Sequence, residues 1–129
     1  MLLNGKTAVI SGAASRAGIG LATARLFAAH GARVEILDLE QTAADSAAQS
    51  LGSQHMGITC DVTDEAACTR AAAHVIEVFG HADILINNAG ITQPLRIMDI
   101  KPGNWDRVLY VNLRRVLYLS QAFIPHMRG

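Results

Sequence analysis

Short apolar runs alternate along the chain with longer amphipathic segments. Lys6 to Ile10, Arg33 to Leu37, Met56 to Thr59 and Asp83 to Ile86 are the apolar runs, bounded by glycine or aspartate. Runs this short predict strands of a parallel sheet buried on both faces. Between them, Ile19, Ala22, Leu26 and Ala29 recur at helical spacing ahead of Gly31. Ala43, Ala44, Ala47, Ala48 and Leu51 do the same ahead of Gly52, and Cys68, Ala72, Val75, Ile76 and Phe79 ahead of Gly80. A glycine just past the last periodic residue is a common helix stop. A longer helix is predicted from about Asn104 towards Met127, with Trp105, Val108, Leu109, Val116, Leu119 and Phe123 as its apolar stripe and Trp105 as a core anchor. Pro125 stands near its end, where the missing N–H and the ring loosen or finish a helix.

This alternation implies an α/β fold built on a doubly wound parallel sheet of Rossmann type. No repeat or linker interrupts the pattern, and 129 residues suit one domain. Composition narrows the class. Half of the residues are hydrophobic and 17% are charged, the profile of a soluble globular protein. Eleven basic and eleven acidic residues cancel, which speaks against a nucleic-acid partner. No apolar stretch has the length of a membrane span or the form of a secretory signal, so no membrane association is expected. With Cys60 and Cys68 too few for a disulfide scaffold, a reducing, cytoplasmic location is expected and both thiols are read as packing residues. His30, His55, His74, His81 and His126 lack metal-ligand spacing and are read as surface residues, with no metal site.

The candidate chemistry begins after the first strand, in Ser11-Gly12-Ala13-Ala14-Ser15-Arg16-Ala17-Gly18-Ile19-Gly20. A glycine at a strand exit permits a tight turn. Glycines at the following helix start let backbone N–H groups approach a pyrophosphate, whose charge the helix N-terminus favours. Asp38 ends the second strand about 20 residues further on, where a dinucleotide fold places a ribose-binding carboxylate. A carboxylate there accepts from both ribose hydroxyls and repels a 2′-phosphate, which favours NAD over NADP. Arg16 is the opposing signal, since a basic side chain in this loop can reach a 2′-phosphate.

With these residues in place, the chain resembles the short-chain dehydrogenase/reductase family along nearly its whole length. Gly12, Gly18 and Gly20 match the family's Thr-Gly-x-x-x-Gly-x-Gly loop, with Ser11 in place of threonine. Five residues separate Gly12 from Gly18 where the family usually has three, and the extra residues are expected to bulge outwards. Asp61-Val62 resembles the family's adenine-binding pair, with Thr63 expected to cap the next helix. Asn87-Asn88-Ala89-Gly90 matches the family's tetrad after the fourth strand, and Asn112-Leu113 its Asn-Leu helix pair. At Arg115 the family more often has glycine; the arginine either crowds the helix packing or points outwards.

The resemblance implies a domain spanning 1–129 that binds NAD(P), truncated after what the family counts as its fifth helix and lacking the C-terminal catalytic half. The implied cofactor contacts are Gly12, Ser15, Arg16, Gly18, Ile19, Gly20, Asp38, Asp61, Val62, Asn88, Ala89 and Gly90. Asn112 is the implied catalytic helper, holding a water near the catalytic lysine; a structural asparagine satisfied by backbone is the competing reading. Family chemistry is hydride transfer between the nicotinamide and a small-molecule alcohol or carbonyl, with a tyrosine acid/base and a lysine four residues later. Tyr110 and Tyr118 are followed at that distance by Arg114 and Ala122, so the chain alone is expected to be inactive. The full-length relative is expected to form a homo-oligomer. The fourth strand is expected to be an open edge, leaving the isolated chain marginally stable and prone to associate. A non-catalytic nucleotide-binding regulatory module remains an alternative. A methyltransferase using S-adenosylmethionine shares the glycine loop and the acid, but the tetrad and Asn112 argue against it.

Overall fold

The computed structural model describes residues 1–127. Four parallel strands, β1 (Thr7–Ser11), β2 (Arg33–Asp38), β3 (Met56–Thr59) and β4 (Ile84–Ile86), lie in the order β3-β2-β1-β4. Four α-helices connect and follow them: α1 (Ile19–Ala29), α2 (Gln41–Leu51), α3 (Glu65–Phe79) and α4 (Pro102–Met127). The helix counted as fifth from the resemblance is therefore α4 among the described residues. A short 3-10 turn, Ile97–Asp99, precedes it. The chain winds outward from β1 to β3 and then returns to the other side of β1, so the strand order reverses between β1 and β4. In open α/β sheets this switch point is where ligands bind, beyond the carboxyl ends of the strands.

All five residues of β1 are buried, as its central position requires. Ile10, Val34 and Ile36 face α1 and α2, and Val9, Leu37 and the partly buried Leu85 face α3 and α4. Gly57 allows α2 to lie directly on β3, since a β-carbon there would run into the Ala44 carbonyl. The outer edge of β3 is covered by one side chain. Gln41 accepts from the Thr59 N–H at 2.9 Å and donates to the Gly57 carbonyl at 2.9 Å. This replaces a neighbouring strand's hydrogen bonds and blunts the edge. On the opposite side, β4 pairs only with β1 among the described residues.

Several expectations change. On α1 the buried residues are Gly20, Leu21 and Ala24, while Ile19 is 80% exposed and Leu26 59%. The predicted stripe is therefore rotated off the core, because Leu21 together with Gly20 and Ala24, not Ile19 and Leu26, faces the sheet. On α4 only Leu119 and Phe123 are buried, and Trp105, Leu109 and Val116 are exposed. Trp105 is not a core anchor, since it is 52% exposed and the first half of this helix is held by polar contacts, Asn104 to Gln93 and Asn112 to Ile91. The helix continues through Pro125 to Met127. Asp64, not Thr63, caps α3, accepting from the N–H groups of Ala66 at 3.0 Å and Ala67 at 3.4 Å. His55 is buried, and its Nδ1 accepts from the Val34 N–H at 3.0 Å, so it is a structural residue that ends β2 pairing rather than a surface one. Cys60 and Cys68 are free and buried in the core beneath α3, as packing residues. No described helix is long and apolar enough to cross a membrane.

Candidate functional site

β1 leaves the sheet through Ser11, whose hydroxyl organises the ends of two strands. It accepts from the Asn88 and Ala89 N–H groups, each at 3.1 Å. The Asn88 side chain returns the contact, donating through Nδ2 to the Gly12 carbonyl at 3.1 Å. Gly12 has a φ of 66°, and a β-carbon on it would stand 2.7 Å from Ala89 Cα. Likewise a β-carbon on Gly20 would meet Asn88 Nδ2 at 2.5 Å and Ala13 Cα at 3.0 Å. These two glycines thus let the loop and the start of α1 close against the tetrad after β4. Here the sequence expectation needs sharpening, since at Gly20 the close approach is to the protein itself.

The enlarged part of the glycine loop turns outward. Gly18 N–H donates to the Ser15 carbonyl at 3.0 Å, and Ser15, Arg16 and Ala17 are exposed around that turn. α1 then starts at Ile19 with no side-chain cap and no acidic residue in its first turn. Its first backbone N–H groups are thereby left available to an anion, with the helix dipole favouring negative charge.

A cleft of about 330 Å³ opens at the carboxyl ends of the strands. Gly12, Asp38, Asp61, Val62, Asn88, Ala89 and Gly90 all line it, so residues at the end of β2 and just beyond β1, β3 and β4 converge there. Ser15, Arg16, Gly18, Ile19 and Gly20 lie outside its lining, and Arg16 instead borders a hollow between α1 and α2. Asp61 Oδ1 accepts from the Thr63 N–H at 3.0 Å and hydroxyl at 2.7 Å, which holds the turn that presents Asp61 and Val62. Asn112 also stands apart from the lining. Its amide pairs with one backbone unit, accepting from the Ile91 N–H at 3.0 Å and donating to the Ile91 carbonyl at 2.9 Å. Asn112 therefore fastens α4 to the chain just beyond the tetrad, which is the backbone-satisfied arrangement.

Cleft residues that the sequence does not mark as site residues are Leu37, which pairs with Ser11, then Leu39, Cys60, Ile91, Val111 and Arg115. Those at strand ends were findable, because a dinucleotide fold builds its site there. Arg115 does not point outwards. It is half-buried, its Nε donates to the Asn112 carbonyl at 3.3 Å, and burial lowers its pKa. Arg114, by contrast, is solvent-exposed, with its guanidinium 4.1 Å from the Tyr110 ring centre and its Nη1 donating to the Tyr118 hydroxyl at 3.1 Å. Both tyrosines are engaged on α4 away from the cleft lining. Among the described residues, no group of three or more His, Cys, Asp or Glu side chains is placed to hold a metal ion.

Known proteins are similar to this chain in sequence and fold. A family profile described as enoyl-(acyl carrier protein) reductase matches residues 12–129. An uncharacterized short-chain type dehydrogenase/reductase of Sinorhizobium fredii is 58% identical, over 99% of this chain and 52% of its own length. A solved short-chain dehydrogenase/reductase of Brucella melitensis, described as a glucose/ribitol dehydrogenase, superposes with a TM-score of 0.89 at 32% identity. It covers 99% of this chain, which spans 54% of that one. A 3-ketoacyl-(acyl-carrier-protein) reductase of the same organism, solved with NADH, gives a TM-score of 0.86 at 37% identity, covering 96% of this chain and 50% of its own. The chain spans about half the length of the curated relatives it matches.

Proposed function

The chain belongs to the short-chain dehydrogenase/reductase family, and from that premise we propose that its cleft binds NAD(H), in preference to NADP(H), as the cofactor half of an alcohol/carbonyl oxidoreductase. The observation that carries this reading is the convergence of Gly12, Asp38, Asp61, Val62 and Asn88 to Gly90 on one cleft at the switch point of the sheet. Asp38 would accept from the adenosine ribose hydroxyls, and its charge disfavours a 2′-phosphate. Asp61 and the Val62 backbone would meet the adenine, and Asn88, Ala89 and Gly90 the ribose side of the cleft. The uncapped start of α1, at Gly18, Ile19 and Gly20, would receive the pyrophosphate, flanked by Ser15 and Arg16. The donor set fits such a group, since it offers backbone N–H groups to phosphate and carboxylates to hydroxyls.

When bound, the nicotinamide supplies or accepts the hydride. The residues present contribute position. Ser11 and Asn88 clamp the ends of β1 and β4 together, and Asn112 holds α4 to Ile91. No tyrosine of this chain precedes a lysine by four residues, and we expect binding without turnover from residues 1–129 alone. The same feature favours a second reading, a nucleotide-binding module that performs no chemistry.

Titration with NADH, followed by fluorescence, tests the assignment. Saturable binding is expected, with Asp38→Ala weakening NADH by roughly tenfold to a hundredfold through the lost charged hydrogen bonds. The same variant should narrow the preference over NADPH. Saturable binding of S-adenosylmethionine without binding of NADH would overturn the reading. Oxidation of NADH by the chain in the presence of a carbonyl substrate would instead refute the expected inactivity.

A further inference from the structure

Resting on that cofactor reading, we propose that Arg115 contacts the purine base of the bound dinucleotide and raises affinity for its adenosine half. Arg115 follows Val111 by one helical turn on α4, and both line the cleft. Its side chain is tucked beneath the loop after β4, with Nη2 only 2.9 Å from where a β-carbon on Gly90 would stand. One donor is used, from Nε to the Asn112 carbonyl at 3.3 Å. Nη1 is out of reach of water and has no hydrogen-bond partner among the described residues. The ion pairs found there involve His74 and His81, so neither Asp38 nor Asp61 neutralises the guanidinium.

With Nη1 enclosed, a ligand in the cleft meets the rest of the guanidinium, whose half-buried charge carries a desolvation cost that an electron-rich ring offsets. The place of Arg115 in the cleft, among Asp38, Asp61, Val62 and Gly90, points to the adenosine half of the ligand. The phosphate-binding start of α1 lies outside the cleft lining, whereas Asp61 and Val62, the base-side pair, belong to it. A planar guanidinium suits that end, because it stacks on a heteroaromatic face and offers N–H groups to ring nitrogens.

Calorimetric titration of the chain with ADP-ribose and, separately, with reduced nicotinamide mononucleotide tests the proposal. Both probes carry phosphate, but only ADP-ribose carries adenine. Arg115→Met should weaken ADP-ribose about tenfold and leave the mononucleotide unchanged, a difference of about 1.4 kcal/mol. Arg115→Lys keeps the charge without the plane and should fall between wild type and Arg115→Met; it also serves if the methionine variant fails to fold. Equal weakening of both probes makes the guanidinium a phosphate contact and overturns the proposal, as does unchanged ADP-ribose affinity in both variants. Failure of the wild-type chain to bind ADP-ribose removes the dinucleotide reading, and this inference falls with it. Wild-type binding with unaltered variants removes only the role of Arg115.

Discussion

On one face of the sheet, α1 and α2 rest on Ile10, Val34 and Ile36 through Gly20, Ala24, Ala44, Ala47 and Ala48. On the other, α3 and α4 cover Val9 and Leu37, but the same layer also takes in the carboxylate of Glu35. The first face is packed mainly by small residues whose backbones approach the strands, with Leu21 as the large buried side chain among them. The second is held by large side chains, Phe79, Leu119 and Phe123, and encloses a charge-bearing group with no partner for either oxygen. His74 Nε2, the nearest cation candidate, stands 4.0 Å from Glu35 Oε1, outside hydrogen-bond reach. Burial, with a smaller push from the charge of Asp45, raises the Glu35 pKa to about 7. The contrast teaches that one sheet can carry a face specified by shape and a face that tolerates electrostatic cost.

The comparison breaks most severely at Phe123. If a few large contacts hold the second face, Phe123→Ala should cost about 3–5 kcal/mol in urea unfolding. Trp105→Ala, at an exposed position of the same helix, should change stability by no more than about 0.5 kcal/mol. Similar losses at both positions would mean that α4 is held along its whole length.

Glu35 sharpens the electrostatic side. Its folded pKa lies above the ordinary carboxylate value of 4.5, so the folded state binds the extra proton between that value and about 7. Stability therefore falls as pH rises through this window, and the loss is complete above it. Glu35→Val should accordingly stabilise the chain by roughly 3 kcal/mol at pH 8, with the gain shrinking towards pH 4. A gain independent of pH would assign the effect to packing alone.

The small-residue face should respond to size rather than to pH. Gly57→Ala drives a methyl group into the Ala44 carbonyl and should cost about 1–3 kcal/mol by pushing α2 off β3. A melting temperature unchanged from wild type would show that α2 can shift without loss.

Much of this was legible beforehand. The four strands fall within a residue or so of their apolar runs, and Gly12, Asp38, Asp61, Val62 and Asn88 to Gly90 meet at one cleft as the order of elements implied. Glu35 was hidden inside the run Arg33 to Leu37, where its apolar neighbours made the whole segment read as buried strand. The buried face of α1 was misread because Ile19 and Leu26 carry a hydrophobic signal on one side while Gly20, Leu21 and Ala24 make the contact on another. His55 and Arg115 are single polar residues whose surroundings come from distant segments, and no spacing marks them.

The sequence by itself determined the element order, the helix stops and the placing of the cofactor-motif residues at strand ends. Those features follow from backbone periodicity and from residue types acting on their immediate neighbours. Tertiary structure alone decided which helix face is buried, that Glu35 is enclosed without a partner, and that Arg115 turns into the cleft. Burial and pairing depend on what another part of the chain brings against a residue, and that is a property of the assembled layers rather than of any local stretch.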